Sequence, residues 1–237
     1  MNKIRLSIII PCYNEAENIP KLIENLKLIN NDFVEIILVD NGSIDGTKNI
    51  IDKNIVFKSP AVKSFRINKN IGYGHGIMSG VKLAKGDVIS WTHADLQTDI
   101  NDVIGAYEIF INKTKSKDKF ILKGIRKKRN FFDAFFTFGM GVLVSYLLRM
   151  KLFDINAQPK MFHKSFLKNF KDAPSDFSLD LYFLYVAKTN NYDILEYPVF
   201  FHKRYKGQSK GGGSIKGKWS LIKRTWKYIF ALRNTLK

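Results

Sequence analysis

Hydrophobic and polar positions follow a strand-then-helix rhythm through the first half of this chain. Short apolar runs such as LSIII and EIILV alternate with stretches whose apolar residues recur every three or four positions, as Leu22 and Leu26 do. The pattern predicts strands at 5–10, 34–39, 62–67, 87–92, 119–125, 159–163 and 193–201, and helices at 16–29, 46–52, 76–84, 100–112 and 177–189. Right-handed βαβ units of this kind predict one α/β domain around a mostly parallel sheet.

Three of the apolar runs stop at short polar loops that carry carboxylates. Glu15 follows the first run, Asp40 the second and Asp95 the third. Because the carboxyl ends of parallel strands lie at one sheet edge, where open α/β sheets bind ligands, we expect these acids to meet around one cavity. Asp40 also has a structural alternative, since its carboxylate can cap the turn at 41–43 instead of binding a base or ribose.

The segment HADLQTD carries polar side chains at alternating positions. In an extended loop, His93, Asp95 and Gln97 share a face and can converge on a divalent ion and a diphosphate. The segment also suits a helix N-terminus capped by Thr98 or Asp99. Both roles fit within its length.

The glycine-rich segment NKNIGYGHGIMSG, residues 68–80, precedes a predicted helix. It does not match the dinucleotide fingerprint G-x-G-x-x-G, because Ile77 and Met78 stand where a third glycine is needed. We therefore expect these glycines to let the helix start lie close to a neighbouring loop or to a sugar.

The composition is that of a globular protein, and the positive charge is concentrated near the end of the sequence. The chain has 237 residues, 45% of them hydrophobic, and a net charge of +18, with 11 positive charges and no acid after Glu196. Such a tail attracts phosphate groups, whether they belong to nucleic acid, to anionic lipid or to a substrate. The lone Cys12 excludes an internal disulfide. We expect a catalytic domain at 1–205 and a basic loop with an amphipathic helix at 206–237.

Two segments bear on membrane contact. Residues 131–148, FFDAFFTFGMGVLVSYLL, are apolar but interrupted by polar residues, which favours an interfacial or buried helix over a span of about 20 apolar residues. From Lys218, a predicted basic helix with Trp219 and Trp226 on one side suits a membrane surface or the protein's own core. The apolar run after Arg5 is too short for a secretory signal, so we expect a cytoplasmic protein, peripheral on the inner face of the membrane.

Late basic residues offer candidate phosphate ligands. Arg204, Ser209 and Lys210 lie in HKRYKGQSK, and Arg126 ends a predicted strand. Guanidinium, ammonium and hydroxyl groups suit phosphate oxygens, although a solvated basic loop explains the same composition.

Five landmarks occur in order along residues 1–205: IIIPCYNEAENI, ILVDNGSIDGT, NKNIGYGHGIMSG, HADLQTD and FFHKRYKGQSK. Together they resemble the inverting glycosyltransferases of family 2, especially dolichyl-phosphate-mannose-synthase-like and polyprenyl-phosphate glycosyltransferases. The resemblance implies a Rossmann-like domain of glycosyltransferase A type that takes a nucleotide-sugar donor, with UDP favoured over GDP, and a polyprenyl phosphate or glycan acceptor.

The resemblance also implies roles for single residues. It implies that the nucleotide is bound by Pro11, Tyr13, Glu15 and Asp40, and that the metal and the diphosphate are contacted by Asp95 and Gln97. It implies phosphate or acceptor contacts for Arg126, Arg204, Ser209 and Lys210. It places the loop INAQPKMF, Asp176 and Asp180 on the acceptor side. The family usually has Asp-x-Asp where this chain has His93-Ala94-Asp95. An imidazole suits Mn²⁺ better than Mg²⁺, so the departure puts strict metal dependence in doubt.

The acceptor decides whether a general base is needed. A sugar hydroxyl requires one, with Asp176 and Asp180 as candidates, whereas a lipid phosphate is already anionic. The aromatic-rich segment at 131–148 and the cationic tail favour the lipid phosphate. Two alternatives stay open: a nucleic-acid-binding module, which the clustered acids disfavour, and a catalytically silent relative, which the His93 departure allows.

Overall fold

Seven strands join into one sheet in the part of the chain that the structure describes. This computed structural model describes residues 3–55, 61–114, 119–128, 139, 141–142, 144–202, 204–206, 223, 226–230 and 232. The strands are β1 Leu6–Cys12, β2 Val34–Asp40, β3 Ala61–Arg66, β4 Val88–Trp91, β5 Phe120–Lys127, β6 Lys160–His163 and β7 Asp193–Phe200. The helices are α1 Ile19–Lys27, α2 Thr47–Asn54, α3 Tyr73–Leu83, α4 Asn101–Thr114 and α5 Leu179–Thr189, and a 3₁₀ helix covers Lys164–Asn169.

The strand order is β3-β2-β1-β4-β6-β5-β7, and only β6 runs antiparallel to its neighbours. The chain therefore enters β6 at the edge where the other six strands end. The order reverses beside β1, whose two neighbours are β2 and β4, and such a switch point opens a crevice at the carboxyl edge. The predicted α/β class and mostly parallel sheet are confirmed.

Alternation along the strands builds a hydrophobic core on each face of the sheet. Ile9 packs in a cluster with Ile77 of α3 and Phe183 of α5. Its neighbour Ile8 points to the other face, in a cluster with Leu22 of α1. Burial of each such side chain contributes about 1.5–3 kcal/mol, so these two clusters fix the helices against the sheet and leave its edge for the site.

A buried carboxylate ties three elements together on β2. Glu35 accepts hydrogen bonds from Ser7 Oγ at 2.7 Å and from the Lys85 backbone N at 2.5 Å, and it pairs with Lys63 at 3.0 Å. Burial alone raises the pKa of Glu35, but these three donors outweigh burial and hold the pKa below its usual 4.5. The Glu35 carboxylate is therefore a structural anion, away from the crevice.

The C-terminal helix contacts the core as far as its described residues show. Ile229 and Leu232 are buried in the cluster that contains α5, whereas Lys223 and Lys227 are exposed. Most of 206–237, and residues 129–138, 140 and 143 of the apolar segment, lie outside the described residues, so the domain division and the interfacial helix stay predictions. Within the described ranges, no helix has the length and apolar character needed to cross a bilayer.

Candidate active site

A cavity of about 500 Å³ opens at the carboxyl edge of the sheet. Loops after β1, β3, β4 and β7, the end of β5 and the segments before β6 and α5 all reach it. The predicted site residues that line it are Pro11, Tyr13, Glu15, His93, Asp95, Gln97, Arg126, Asp176, Asp180 and Arg204. Residues that lie up to about 190 positions apart in sequence therefore share one cavity.

Arg204 joins two of the predicted acids. Its guanidinium forms an ion pair with Glu15, and Nη2 lies 4.0 Å from Asp95 Oδ2. Asn18 Nδ2 donates to the second oxygen of Glu15. The loop after β7 is thus fastened to the loops after β1 and β4, and a fixed positive charge lies between two carboxylates at the crevice.

The segment HADLQTD lines the cavity with its first half and caps α4 with its second half. Asp95 lines the cavity and its Oδ1 accepts from the Gln97 backbone N at 3.2 Å, while Gln97 Nε2 donates to the His202 carbonyl at 3.2 Å. Asp99 Oδ1 accepts from the Asn101 backbone N at 2.9 Å, where α4 begins. The binding role suggested for the first half and the capping role suggested for the second are therefore compatible.

Metal ligands at this loop are few. His93 lines the cavity with its ring centre 5.7 Å from that of Tyr73. In the described ranges, no group of three or more His, Cys, Asp or Glu side chains could hold a metal ion. A divalent ion at Asp95 would therefore need oxygen ligands from a bound diphosphate as well, which is a common arrangement for Mg²⁺.

Asp40 is not among the residues that line the cavity, which corrects the expectation that it shares one cavity with Glu15 and Asp95. It accepts from the Ser43 backbone N at 2.9 Å and from Arg66 Nη1 at 3.0 Å, and it is only 2% exposed. Arg66 is its cross-strand neighbour on β3 and neutralises it within the sheet. The capping alternative thus describes the observed contact, and nucleotide binding by Asp40 stays a prediction.

Asp176 and Asp180 have different surroundings. Asp180 is 1% exposed and accepts hydrogen bonds from Trp91 Nε1 at 3.1 Å and from Gln158 Nε2 at 3.1 and 3.2 Å. Asp176 is only partly buried, and its Oδ1 accepts from the Ser178 backbone N at 2.9 Å. Of the two acids, Asp176 is therefore the one whose carboxylate is partly exposed at the cavity.

The glycine-rich segment holds Asp176 in place. The His75 backbone N donates to the Ser175 carbonyl at 2.9 Å, and a Cβ on Gly74 would lie 2.2 Å from the Pro174 carbonyl oxygen. Gly72 has a backbone φ of 148°, a value that residues with a Cβ atom rarely adopt. The expectation that these glycines permit close approach to a neighbouring loop is confirmed, and that loop carries Asp176.

Arg126, near the end of β5, is held by Asp154. Its backbone N donates to Asp154 Oδ2 and its Nε to Asp154 Oδ1, both at 2.8 Å. The guanidinium also lies 5.3 Å from the centre of the Phe201 ring. Arg126 therefore presents a fixed cation to the cavity. Ser209 and Lys210 lie outside the described residues.

Several cavity residues were not predicted from the sequence. Tyr73 stacks on Phe177 with ring centres 4.7 Å apart, and the exposed Ile71 lies beside them in the lining. Burial and the charges of Asp180 and Asp95 raise the pKa of Tyr73 well above its usual 10.0, so its phenol stays neutral. We call Ile71, Tyr73 and Phe177 the apolar lip. Ile71 and Phe177 lie just before α3 and α5, and Tyr73 is the first residue of α3, so no periodic pattern marks these positions.

Comparison with known proteins identifies the family. Residues 7–133, just over half of the chain, match the sequence profile of the family described as Glycosyl transferase family 2. The chain belongs to glycosyl transferase family 2. The resemblance suggested by the five ordered landmarks is thereby confirmed.

Curated relatives of this family 2 chain include two lipid-phosphate enzymes. It is 32% identical over 103 residues to the undecaprenyl-phosphate 4-deoxy-4-formamido-L-arabinose transferase of Proteus mirabilis, covering 42% of this chain and 31% of that protein. It is 24% identical over 176 residues to the dodecaprenyl-phosphate galacturonate synthase of Rhizobium johnstonii, covering 71% and 50%. The match thus spans 31% of the first of these relatives and 50% of the second.

Solved structures share the fold of this family 2 chain. Glucosyl-3-phosphoglycerate synthase from Mycobacterium tuberculosis, in complex with Mn²⁺, UDP and glucosyl-3-phosphoglycerate, has a TM-score of 0.72 at 13% identity, covering 97% of this chain and 79% of that one. A mannosyltransferase from Pyrobaculum calidifontis, in complex with GDP-Man and Mn²⁺, has a TM-score of 0.62 at 17% identity, covering 90% and 59%. The likeness confirms the Rossmann-like glycosyltransferase A-type fold.

Proposed function

We propose that this chain is an inverting glycosyltransferase that moves a sugar from a nucleoside diphosphate sugar to a polyprenyl phosphate. One observation carries the proposal: a single cavity at the switch point is lined by Glu15 and Asp95 and by the two fixed guanidinium groups of Arg126 and Arg204. Two anionic groups, the donor diphosphate and the acceptor phosphate, need two such cations. Membership of family 2 supports the reaction class.

The donor side is assigned to the loops after β1, β4 and β7. The bond from the anomeric carbon to the diphosphate breaks, and the charge that develops on the leaving oxygen is neutralised by Arg204. Asp95, with His93 beside it on the loop, would hold a divalent ion, which supplies further neutralisation of the diphosphate when bound. Complexes of both structural neighbours with Mn²⁺ favour that ion.

We assign the nucleotide to Pro11, Tyr13 and Glu15, and we favour UDP over GDP. The neighbours are split on this point, since one structure holds UDP and the other holds GDP-Man. The base identity is therefore the part of the proposal that a binding screen must decide.

The acceptor side is assigned to Arg126 and the apolar lip. Arg126 attracts the phosphate, while Ile71 and Phe177, which are 58% and 38% exposed, offer apolar surface to the first isoprene units. A phosphate oxygen attacks the anomeric carbon from the side opposite the diphosphate, so the new C–O bond forms with inversion. Both curated relatives named above carry polyprenyl phosphate in their names.

A polyprenyl acceptor requires a membrane, and the tail is the proposed contact. Lys223 and Lys227 are exposed on a helix whose Ile229 and Leu232 pack into the core. Such a helix presents cations to anionic lipid without crossing the bilayer. We therefore propose peripheral association with the inner face of a membrane.

The test is transfer of radiolabelled sugar from UDP- and GDP-sugars into an organic-extractable product, with undecaprenyl phosphate vesicles and Mn²⁺. We expect Asp95→Asn to lower turnover at least about 100-fold, because it removes a carboxylate that faces the diphosphate. Asp99→Asn is the matched control, since Asp99 is exposed on the same segment and an asparagine caps α4 equally well. Turnover of Asp95→Asn at the wild-type rate would refute the site, and the absence of transfer from any donor would indicate a catalytically silent relative.

A further inference from the structure

Lys160 is a buried lysine at the carboxyl edge of the sheet that the proposed reaction does not use. It is the first residue of β6, its side chain is 0% exposed, and β4 and β5 flank it. Nζ donates to the carbonyls of Ile155 at 2.7 Å and Ala157 at 2.5 Å, and lies 3.8 Å from Asp180 Oδ1. A buried ammonium is costly unless it is paired, so these contacts set its position tightly.

We propose that Lys160 is a positioning residue that fixes the acceptor-side wall of the cavity. The two carbonyls that it holds belong to a segment that enters the site immediately before β6. Between them lies Asn156, which lines the cavity. Immediately before them lies Asp154, the clamp of Arg126. Lys160 thus acts on the proposed phosphate ligand through the backbone of residues 154–157.

Asp180 extends the same arrangement to the apolar lip. The carboxylate that faces Lys160 accepts from Gln158 Nε2, and the same amide nitrogen donates to Tyr73 Oη at 3.0 Å. One buried ion pair therefore connects the wall that carries Arg126 with the wall that carries Tyr73. This assignment gives Asp180 a positioning role in place of the general-base role considered from the sequence.

A purely structural role would not require a charge at this position. Well-packed apolar residues often replace both partners of a buried ion pair without loss of stability, whereas removal of one partner leaves a buried charge and destabilises the fold. A methionine, however, donates no hydrogen bond, so the carbonyls of Ile155 and Ala157 would lose their partner and the segment would shift. The variant is therefore expected to affect acceptor binding more than donor binding.

The first experiment compares Lys160→Met with Lys164→Met. Lys164 is the matched control, because its Nζ also donates to a backbone carbonyl, that of Ala84 at 2.8 Å, but it does not line the cavity. We expect Lys160→Met to raise the KM for undecaprenyl phosphate by about fivefold or more, the effect of roughly 1 kcal/mol, with the donor KM and kcat unchanged within about twofold. Equal effects on both substrates, or none on either, would overturn the proposal.

The pH dependence of the acceptor KM distinguishes a charged lysine from a side chain that only fills space. Burial lowers the pKa of Lys160 from the usual 10.5 to about 8, with Asp180 and Asp154 opposing that shift and Lys123 and Arg126 adding to it. The ammonium is therefore present below about pH 8 and lost above it. The wild-type acceptor KM should rise through this range, and that step should be absent in Lys160→Met. The same step in both proteins would contradict the assignment.

The inference rests on the proposed acceptor site, so one measurement is independent of transfer. Backbone amides of residues 154–158 should exchange with deuterium at least about tenfold faster in Lys160→Met than in wild type or Lys164→Met. Unchanged exchange would refute the positioning role even if transfer is observed. If the wild-type protein transfers no sugar but deuterium exchange is faster in Lys160→Met, the proposed function is wrong and the positioning role of Lys160 is supported.

A second variant covers the case in which Lys160→Met does not fold. Asp154→Asn weakens the clamp on Arg126 without removing the lysine. We expect it to raise the acceptor KM to a similar extent while exchange at residues 155–157 stays at the wild-type rate. An unchanged acceptor KM would contradict the route from Lys160 through Asp154 to Arg126.

Discussion

Asp176 lies just before α5 and Asp180 four positions later in its first turn, yet the two acids have different surroundings. Asp180 is surrounded by donors from two other parts of the chain, Trp91 on β4 and Gln158 and Lys160 near the start of β6, and so acts as a buried anchor. Asp176 stays partly exposed at the cavity. The sequence predicted both acids near an acceptor but could not rank them, because the difference arises from residues that are distant along the chain.

The surroundings of Asp176 give a prediction that separates the two classes of acceptor. With a polyprenyl phosphate, Asp176→Asn should keep transfer within about fivefold of wild type, because an anionic phosphate needs no general base. With a sugar hydroxyl as acceptor, the loss should be about 100-fold or more. Initial rates on undecaprenyl phosphate and on glycan acceptors decide the matter, and a large loss on the lipid phosphate would contradict the proposed acceptor.

Strong periodic patterns made most secondary structure elements predictable. The seven predicted strands and the helices predicted at 16–29, 46–52, 76–84, 100–112 and 177–189 are present, with ends displaced by no more than three residues. The helices predicted at 131–148 and from Lys218 fall largely outside the described residues and stay predictions. The sequence did not predict the 3₁₀ helix Lys164–Asn169 or the antiparallel direction of β6. A strand of four residues, Lys160–His163, carries too little alternation to fix its direction, which depends on pairing with β4 and β5.

The start of α3 is where an element boundary determines the site. Gly74→Ala would place its Cβ 2.2 Å from the Pro174 carbonyl oxygen and 2.9 Å from that of Asp176, so the segment before α5 must move. We expect a loss of about 1–3 kcal/mol in the free energy of unfolding and a fall in transfer of about tenfold or more. Urea denaturation and the transfer assay measure the two effects.

Gly139→Ala is the control for Gly74→Ala. This glycine is also helical, but a Cβ there meets no atom of the described residues within 4 Å. Stability and transfer should therefore stay at the wild-type level or improve slightly. If Gly74→Ala behaves like this control, close approach at α3 does not hold Asp176 in place.

Acidic and basic residues are distributed unevenly along the chain. Acids collect at the crevice, where Glu15 and Asp95 face Arg204, whereas the chain after Glu196, which includes Arg204, carries positive charges and no acids. This division was predictable, because charge is written directly in the sequence. The bridge from Arg204 to Glu15 and Asp95 was not, since it depends on how the loop after β7 crosses the sheet edge.

The basic tail should bind anionic membranes electrostatically. We expect the double variant Lys223→Glu and Lys227→Glu to bind phosphatidylglycerol vesicles at least about tenfold more weakly, since each cation near a surface contributes about 1 kcal/mol. The control is Lys53→Glu with Lys82→Glu, two exposed residues on α2 and α3 that change the net charge equally. Sedimentation with vesicles that affects both pairs alike would show a net-charge effect and not a binding face.

Calorimetric titration with UDP and GDP, with and without Mn²⁺, tests most directly whether the crevice is a nucleotide-sugar site. The arrangement of Glu15, Asp95 and Arg204 predicts binding of one nucleotide per chain, strengthened by Mn²⁺. Binding should weaken about tenfold or more in Arg204→Met, because this variant removes the cation that we propose as a hydrogen-bonding partner of the diphosphate. Binding of neither nucleotide, or equal binding by wild type and Arg204→Met, would contradict the account.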